Sequence, residues 1–458
     1  MAAELNGEAA AIPVNTKLIE KYAAAVPRYT SYPTAPHFHE GIGAPQYARW
    51  LGEMPEDARL SIYTHIPFCD SLCWFCGCNT KMVRRYEPVA QYLPSLHQEI
   101  VAVAELLPRR HKVDHIHWGG GSPDILNAAD VLRLAEIVQT RFDLSDDCEF
   151  AVEIDPRQIT ARQVHDFACA GVTRVSIGVQ DFAPEVQAAI NRHQSFEVTK
   201  KAVDLFRSAG VRSINFDLIY GLPLQTRASV EHSVEQVLEL EPDRIALFGY
   251  AHLPKRLRHQ SMIDERTLPG AVERFVLASS LARRVIEAGY VRVGLDHFAR
   301  PEDTLAAGPL RRNFQGYTSD GADTLIGFGA SAISKLPQGY IQNAVPTNDY
   351  KRRVSETGLA AARGYEFNEE DRMRGFVIER LMCDMRFPEP ELLDRYGADA
   401  AGVVQEAKAL LSADTDELLE PSDSGFRVTE KGRPFLRTIC AHFDSFFKTS
   451  EQRHSMGV

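Results

Sequence analysis

Four cysteines, Cys69, Cys73, Cys76 and Cys78, fall in one short stretch of the chain. Thiolates are soft metal ligands, and this spacing lets three of them wrap one compact metal object from a single loop. Structural zinc takes four ligands, usually as two pairs from separate segments, and here a second pair is missing. A 4Fe–4S cubane can be held by three cysteines, which leaves one iron open to a further ligand. The spacing therefore favours a cluster over zinc, with a redox-active dithiol or mere packing behind both. Trp74 and Phe75, between the cysteines, would shield such a cluster. The other four, Cys148, Cys169, Cys383 and Cys440, stand singly among apolar residues and read as buried packing thiols.

A reactive loop needs a rigid support, and the sequence supplies one. Short β-branched runs recur between longer helical patterns: Leu60–Ile66, Val113–Trp118, Phe150–Ile154, Arg174–Val179, Ile214–Ile219, Arg244–Phe248 and Val291–Leu295. Amphipathic segments such as Val89–Leu107, Phe196–Ala209, Val230–Leu240 and Ala271–Ala288 lie between them. This alternation predicts parallel βα units. Gly171, Gly210 and Gly289 each close a helix before a strand, as the left-handed position past a helix end requires. We read an α/β fold, a partial (β/α) barrel from Leu60 to Leu295, with the cysteine loop following its first strand on the face where barrels place their sites.

Other polar residues gather on the same rim. Gly119-Gly120-Gly121-Ser122 follows the second strand, where missing Cβ atoms would let the backbone approach a ligand. Glu153, Gln180 and Asp217 end the third, fourth and fifth apolar runs. Each alone reads as a cap or a satisfied core polar group, but their shared placement points to a site. Tyr63 and His65 alternate onto one face of the first strand, and His65 reads as structural.

Three regions are expected: 1–57, a segment packing on the barrel; 58–365, the barrel and its closing elements; and 366–458, a small, mainly helical domain. The last carries a hairpin at Leu418–Glu420 and Gly425–Thr429 and a final helix over Arg433–Phe447, a winged-helix-like order. It reads as a packing or lid domain, since no basic stripe accompanies it. The chain of 458 residues carries 51 Lys+Arg against 62 Asp+Glu, a formal charge of −11. Such a balance argues against sequence-independent nucleic-acid binding. Residues 1–14 have no signal-peptide pattern, and no apolar run has transmembrane length. A cytoplasmic protein with reduced thiols is expected.

Cys69-x3-Cys73-x2-Cys76 resembles the signature of radical S-adenosylmethionine (SAM) enzymes. Its extension to Cys78 resembles that of oxygen-independent coproporphyrinogen III dehydrogenases. The stretches Pro27–Thr34, His117–Gly121, Gly178–Phe182, Asp217–Pro223, Tyr250–Pro254, Asp296–Arg300 and Asn313–Tyr317 are similar to that family's blocks, so the resemblance runs from about Lys21 to about Phe447. It implies a 4Fe–4S cluster on Cys69, Cys73 and Cys76, and SAM on the open iron, contacted by Tyr63, Gly120, Glu153 and, at the adenine end, Ile333. A second SAM is implied at Phe75, Gly77, Gly121, Ser122, Gln180, Arg192, Asp217 and Ala251. Ser122 stands where the family commonly has Thr, and Gly249 where it commonly has Asn.

The implied reaction is oxidative decarboxylation of two propionates of coproporphyrinogen III to vinyl groups, giving protoporphyrinogen IX in heme biosynthesis by way of a 5′-deoxyadenosyl radical. Tyr63 and Cys78 are expected at the reacting centre, Cys78 as a thiol that is not a cluster ligand. A flavodoxin or ferredoxin as electron donor and a monomeric state are implied as well. A substrate with four carboxylates needs a local basic patch on this acidic chain, and Arg28 and Arg300 are the candidates. The alternative is a heme-binding chaperone of the same superfamily. Cys78, Asn79 and the Arg28–Thr34 segment weigh against it.

Overall fold

The computed structural model describes residues 15–23 and 25–447. The apolar runs form the strands of one sheet: β1 (Arg59–Ile66), β2 (Lys112–Gly120), β3 (Asp143–Ile154), β4 (Arg174–Gln180), β5 (Ser213–Tyr220), β6 (Arg244–Gly249), β7 (Val291–Val293), β8 (His297–Ala299), β9 (Thr324–Phe328), β10 (Ile333–Leu336), β11 (Gly339–Asn343) and β12 (Ala361–Glu366). The spatial order is β12-β11-β10-β9-β1-β2-β3-β4-β5-β6-β8-β7. From β9 across to β6 every pair is parallel, and the flanking strands run antiparallel. This is the partial barrel expected.

The strands supply Ile62, Ile116, Val152, Ile177, Phe216 and Ile245 to a main core. Helices Glu87–Leu106, Ala128–Arg141, Phe196–Ser208 and Arg227–Glu239 cover it with their apolar faces, as parallel sheets require. Gly171, Gly210 and Gly289 have φ of +96°, +84° and +92°, the left-handed conformation expected of helix-closing glycines. No described helix is long and apolar enough to cross a membrane.

Four expectations need correction. Val291–Leu295 does not continue the parallel series: β7 is a short edge strand paired antiparallel with β8. The further parallel strand is β9, which pairs with β1. Its apolar run is only five residues long and follows a hairpin, Arg311–Asn313 with Gly316–Thr318, so it lacks the preceding helix that marks the others. Of the four packing thiols, Cys383 and Cys440 are buried, whereas Cys148 is half-buried and Cys169 exposed. Cys169 ends helix Ala161–Cys169 on the side away from Val164 and Phe167.

The N-terminal region does not pack on the barrel as one unit. Tyr47, Trp50 and Leu51, on helix Ala44–Gly52, join the barrel core. Leu18, Ile19, Val26, Tyr29 and Tyr32 instead join a second core with Val377, Leu381, Phe426, Leu436 and Phe443. That core belongs to the C-terminal region, which Asn368 opens by capping helix Glu369–Asp384. Its hairpin pairs Leu419–Ser422 with Gly425–Val428. The last helix is only Leu436–Ala441, after a 3-10 turn at Arg433–Phe435. The remainder of the expected region, 448–458, and residues 1–14, where no signal-peptide pattern is expected, lie outside the described residues.

Candidate active site

The cysteine loop leaves β1 and is tied down on every side. Cys69 sits in a two-residue strand pairing Phe68–Cys69 with Lys81–Met82. Gly121 and Ser122 donate backbone N–H groups to Ile66 O and Phe68 O at 2.8 Å each. Trp74 N–H donates to Ile190 O at 2.9 Å, and Asn191 Nδ2 to Leu72 O at 2.9 Å. His259 Nε2 donates to Cys76 O at 2.7 Å, and Gln260 Nε2 to both Phe75 O and Ala251 O, at 3.0 and 3.2 Å. Trp74 and Phe75, partly buried, pack on the cluster of Val186, Ile190, Leu222 and Tyr250 and so anchor the loop.

Cys73 faces two guanidiniums. Arg192 Nη1 lies 3.4 Å and Arg157 Nη2 3.6 Å from its Sγ. Asp155 anchors both arginines, at 3.3 and 2.6 Å. Burial opposes its ionisation, but Arg192 and Arg157 hold its pKa down at about 2. Cys69 Sγ contacts Thr80 Oγ1 at 3.1 Å, and burial raises its thiol to about 12. The Cys78 N–H donates to Cys76 Sγ at 3.4 Å, and hydrogen bonding from Cys78 is the leading cause that lowers Cys76 to about 6.

The three glycines have a reason beyond ligand access. A Cβ on Gly119 would stand 2.6 Å from the Glu153 carboxyl carbon, one on Gly120 2.6 Å from the His65 ring, and one on Gly121 2.4 Å from Phe68 O. The missing side chains let the cysteine loop, β1 and β3 close on one another. Gly120 also has φ +113°, which only glycine adopts freely.

Glu153 accepts from His117 Nε2 at 3.1 Å and from Gly120 N–H at 3.0 Å. Burial pushes its pKa up, but His117 and Gly120 outweigh it and leave the carboxylate ionised, below its ordinary value. His65 Nε2 donates to Asn79 O at 2.9 Å, which fixes the tautomer and makes Nδ1 the acceptor for Tyr63 O–H, also at 2.9 Å. His65 thus bridges the Tyr63 hydroxyl and the Asn79 carbonyl.

Asp217 accepts from Ser176 Oγ and Asn215 Nδ2, each at 2.9 Å. Glu153, Asp217, His117, His297 and Tyr317 line one cavity of about 150 Å³ inside the sheet's curve. Gln180 holds φ +68° at the end of β4. Arg192 Nη2 donates to Gly178 O at 2.6 Å beside it. Ile333 opens β10, against Gly327, which pairs with Tyr63.

Gly120, Glu153 and Gln180 lie at the carboxyl ends of β2, β3 and β4, and Gly121, Ser122 and Ala251 just past β2 and β6, with Cys69, Cys73, Cys76, Phe75, Gly77 and Cys78 in the loop above. Tyr63 and Asp217 lie inside β1 and β5, and the expectation that Asp217 ends its run is corrected, since Leu218–Tyr220 continue the strand. Arg28 reaches this rim, donating from Nη2 to Gly249 O at 2.8 Å. Arg300 does not, which corrects the expectation. β8 runs antiparallel to β6, so its end returns to the opposite edge, where Arg300 binds Pro242 O and Glu241 O at 3.1 Å each. Asp155, Arg157, His259 and Gln260 are supporting residues that no motif marks. Only the position of Asp155-Pro156-Arg157 just past β3 could have drawn notice.

A radical SAM superfamily model matches residues 63–237, and a HemN C-terminal domain model residues 367–435. The oxygen-independent coproporphyrinogen III oxidase of Bradyrhizobium diazoefficiens is 46% identical over 437 residues, 94% of this chain and 97% of that one. The chain belongs to the oxygen-independent coproporphyrinogen III oxidase family. The family member from Escherichia coli is 40% identical over 438 residues, 94% of this chain and 95% of its own. The solved coproporphyrinogen III oxidase from Escherichia coli, described as a radical SAM enzyme, superposes with a TM-score of 0.89 at 38% identity. It covers 95% of this chain and 100% of that one.

Membership in this family brings a 4Fe–4S cluster and SAM, and the donor set fits them. Three unbridged thiols share one loop, and two guanidiniums stand against the Cys73 sulfur. Among the described residues no group of His, Cys, Asp and Glu is gathered to hold a single metal ion. The ionised Glu153 and the crowded glycine backbone suit a ligand that carries both an ammonium and a carboxylate.

Proposed function

We propose that this protein converts coproporphyrinogen III to protoporphyrinogen IX, decarboxylating two propionates to vinyl groups without molecular oxygen. The observation that carries the reading is the convergence of the cysteine loop with Tyr63, Gly120 and Glu153 on one sheet edge, in a chain kin to this oxidase family over nearly its full length. When bound, the cluster and SAM supply the hydrogen-abstracting power that an unactivated propionate carbon demands.

The chain's own residues position and exclude. Cys69, Cys73 and Cys76 hold the cluster, and Arg157 and Arg192 brace the Cys73 sulfur. Glu153 receives the SAM ammonium, while Gly120 and the Tyr63 oxygen, oriented by His65, set its orientation and Ile333 covers its adenine. Trp74 and Phe75 exclude water from the loop. Phe75, Gly77, Gly121, Ser122, Gln180, Arg192, Asp217 and Ala251 form a second SAM site beside the first. Cys78 stays a free thiol, neighbouring Cys76 and Glu153 at the reacting centre.

We further propose a cytoplasmic monomer reduced by a flavodoxin or ferredoxin, in keeping with eight unbridged cysteines. The deciding experiment is an anaerobic assay of reconstituted protein with coproporphyrinogen III, SAM and a reductant. Protoporphyrinogen IX and 5′-deoxyadenosine are expected together. Deoxyadenosine without protoporphyrinogen would retain the radical chemistry and remove the substrate.

A further inference from the structure

Two surfaces border the cysteine loop, and they differ in charge. One is a cavity of about 320 Å³ whose lining includes Asp70, Asp124, Asp155, Arg157 and His193. Its three carboxylates outnumber its one guanidinium, which disfavours an acidic macromolecule. The other lies along the strand that follows the loop. Lys81–Met82 pairs with Phe68–Cys69, Met82 stands in register with Cys69, and Val83 N–H donates to Cys69 O at 2.9 Å. Paired strands lie about 4.8 Å apart. Met82, 47% exposed, is therefore one strand spacing from the chain that carries the Cys69 thiol.

Lys81, Arg84 and Arg85 are exposed on either side of Met82. Lys81 Nζ donates to Thr347 Oγ1 at 2.7 Å, and among the described residues none of the three cations forms an ion pair. Elsewhere on this chain of formal charge −11, exposed arginines such as Arg133, Arg227, Arg352 and Arg427 sit on carboxylates. Three cations left open within five residues are out of keeping with that surface. Glu87, the exposed carboxylate that follows them, is in the first turn of helix Glu87–Leu106, where the helix dipole favours it. Thr347, which Lys81 binds, lies two residues from Val345, a second apolar side chain left 43% exposed. The surface beside Cys69 thus combines exposed apolar side chains with unpaired cations, the make-up of a small transient protein interface.

We propose that Lys81, Met82, Arg84 and Arg85 form the docking face for the reductant, and that its occupant is a flavodoxin, an acidic carrier that presents the apolar edge of its flavin. The inference rests on the reductant proposed above. Opposite charge steers such a carrier to this face and away from the acidic cavity beside Asp155. The Met82 thioether is a favourable neighbour for an aromatic ring. In the step this face serves, one electron leaves the flavin hydroquinone anion and enters the cluster on Cys69, Cys73 and Cys76. The flavin is oxidised by one electron to its semiquinone, the cluster is reduced by one, and no proton or bond is exchanged.

The test uses the reconstituted, SAM-loaded full chain with purified flavodoxin and two readouts. One is the Kd for flavodoxin by titration calorimetry at several salt concentrations. The other is the KM for flavodoxin hydroquinone in 5′-deoxyadenosine formation, set against the rate with dithionite, a reductant that needs no docking. The double variant R84E/R85E is expected to raise both constants about tenfold or more and to flatten their salt dependence. Its iron content and dithionite-driven rate should stay at the wild-type level. M82A, which keeps the charge and removes the thioether, should weaken binding too. R427E, the same reversal on the C-terminal hairpin, should change neither constant. Unchanged constants in iron-replete R84E/R85E would overturn the proposal, and so would equal weakening by R427E, which would reduce the effect to net charge. A ferredoxin held more tightly than flavodoxin, and released by the same reversal, would overturn the flavin assignment. Docking needs no porphyrinogen, so flavodoxin bound at this face without protoporphyrinogen formation would overturn the function and leave the face standing.

Discussion

Glu153 and Gly119 occupy each other's space: a Cβ on Gly119 would fall 2.6 Å from both the carboxyl carbon and Oε1 of Glu153. Gly119 has an ordinary backbone conformation, so G119A acts by displacing that carboxylate and its bonds to His117 and Gly120. We expect SAM affinity to drop about tenfold or more while iron content is kept. Equilibrium dialysis with labelled SAM and an iron assay check this; wild-type affinity would refute it.

The four loop cysteines should separate by their roles. C69A, C73A and C76A are expected to lose the cluster on anaerobic reconstitution. C78A should retain it, with turnover of coproporphyrinogen abolished. Mössbauer spectra and iron content read the outcome, and C169A, on the exposed end of a helix, serves as the control. Cluster loss in C78A would make Cys78 a ligand.

Arg157 and Arg192 give a prediction of their own. R157M removes one guanidinium from Cys73 and leaves Asp155 to Arg192 alone. Faster loss of the cluster's visible absorbance under chelator is expected than in the wild type. Equal rates would show that cluster retention does not depend on the Arg157 contact with Cys73.

Far from the cysteines, Glu99 is fully buried and accepts from Gly329 N–H at 2.8 Å, Asn343 Nδ2 at 2.7 Å and Tyr350 O–H at 2.7 Å. Burial raises its pKa to about 7 despite those donors. The folded state therefore holds a proton that the unfolded state releases near pH 4.5. Stability from this group is full below about pH 4.5 and declines as pH rises to about 7, by a total on the order of 3 kcal/mol. Urea midpoints measured from pH 5 to 8 should fall in the wild type and flatten in E99Q. A parallel fall in E99Q would assign the slope elsewhere.

Arg300 and Arg28 should part company. R300A removes two carbonyl contacts at the sheet's far edge and should leave KM for coproporphyrinogen III unchanged with a lower melting temperature. R28Q should do the reverse.

Where the chain is regular, local patterns are enough to place the site. Glu153 and Gln180 each end an apolar run, and parallel pairing brings such ends to one edge, so their common rim is readable from the sequence; Asp217 stands three residues inside its strand and faces the cavity instead. Arg300 misleads because its strand turns antiparallel, and a three-residue strand carries no signal of direction. β9 hides for a related reason: its partner is β1, far earlier in the chain, and no helix precedes it. His259 and Gln260 are silent in the sequence: they stand far along the chain from the loop whose Cys76 and Phe75 carbonyls they hold, and only tertiary packing brings them there. Gly119 to Gly121 read as a ligand cradle, but part of their purpose is protein against protein.

The shared core of Leu18, Val26 and Tyr29 with Val377, Phe426 and Leu436 bears on how the enzyme is made. The ribosome releases the N-terminal segment first, yet its apolar side chains find their partners only when the last helices emerge. The parallel sheet and cysteine loop draw on contacts among residues synthesised before then. The N-terminal segment, Arg28 included, therefore gains its packing partners only once the last helices are made, so both ends of the chain must be present before either is fixed.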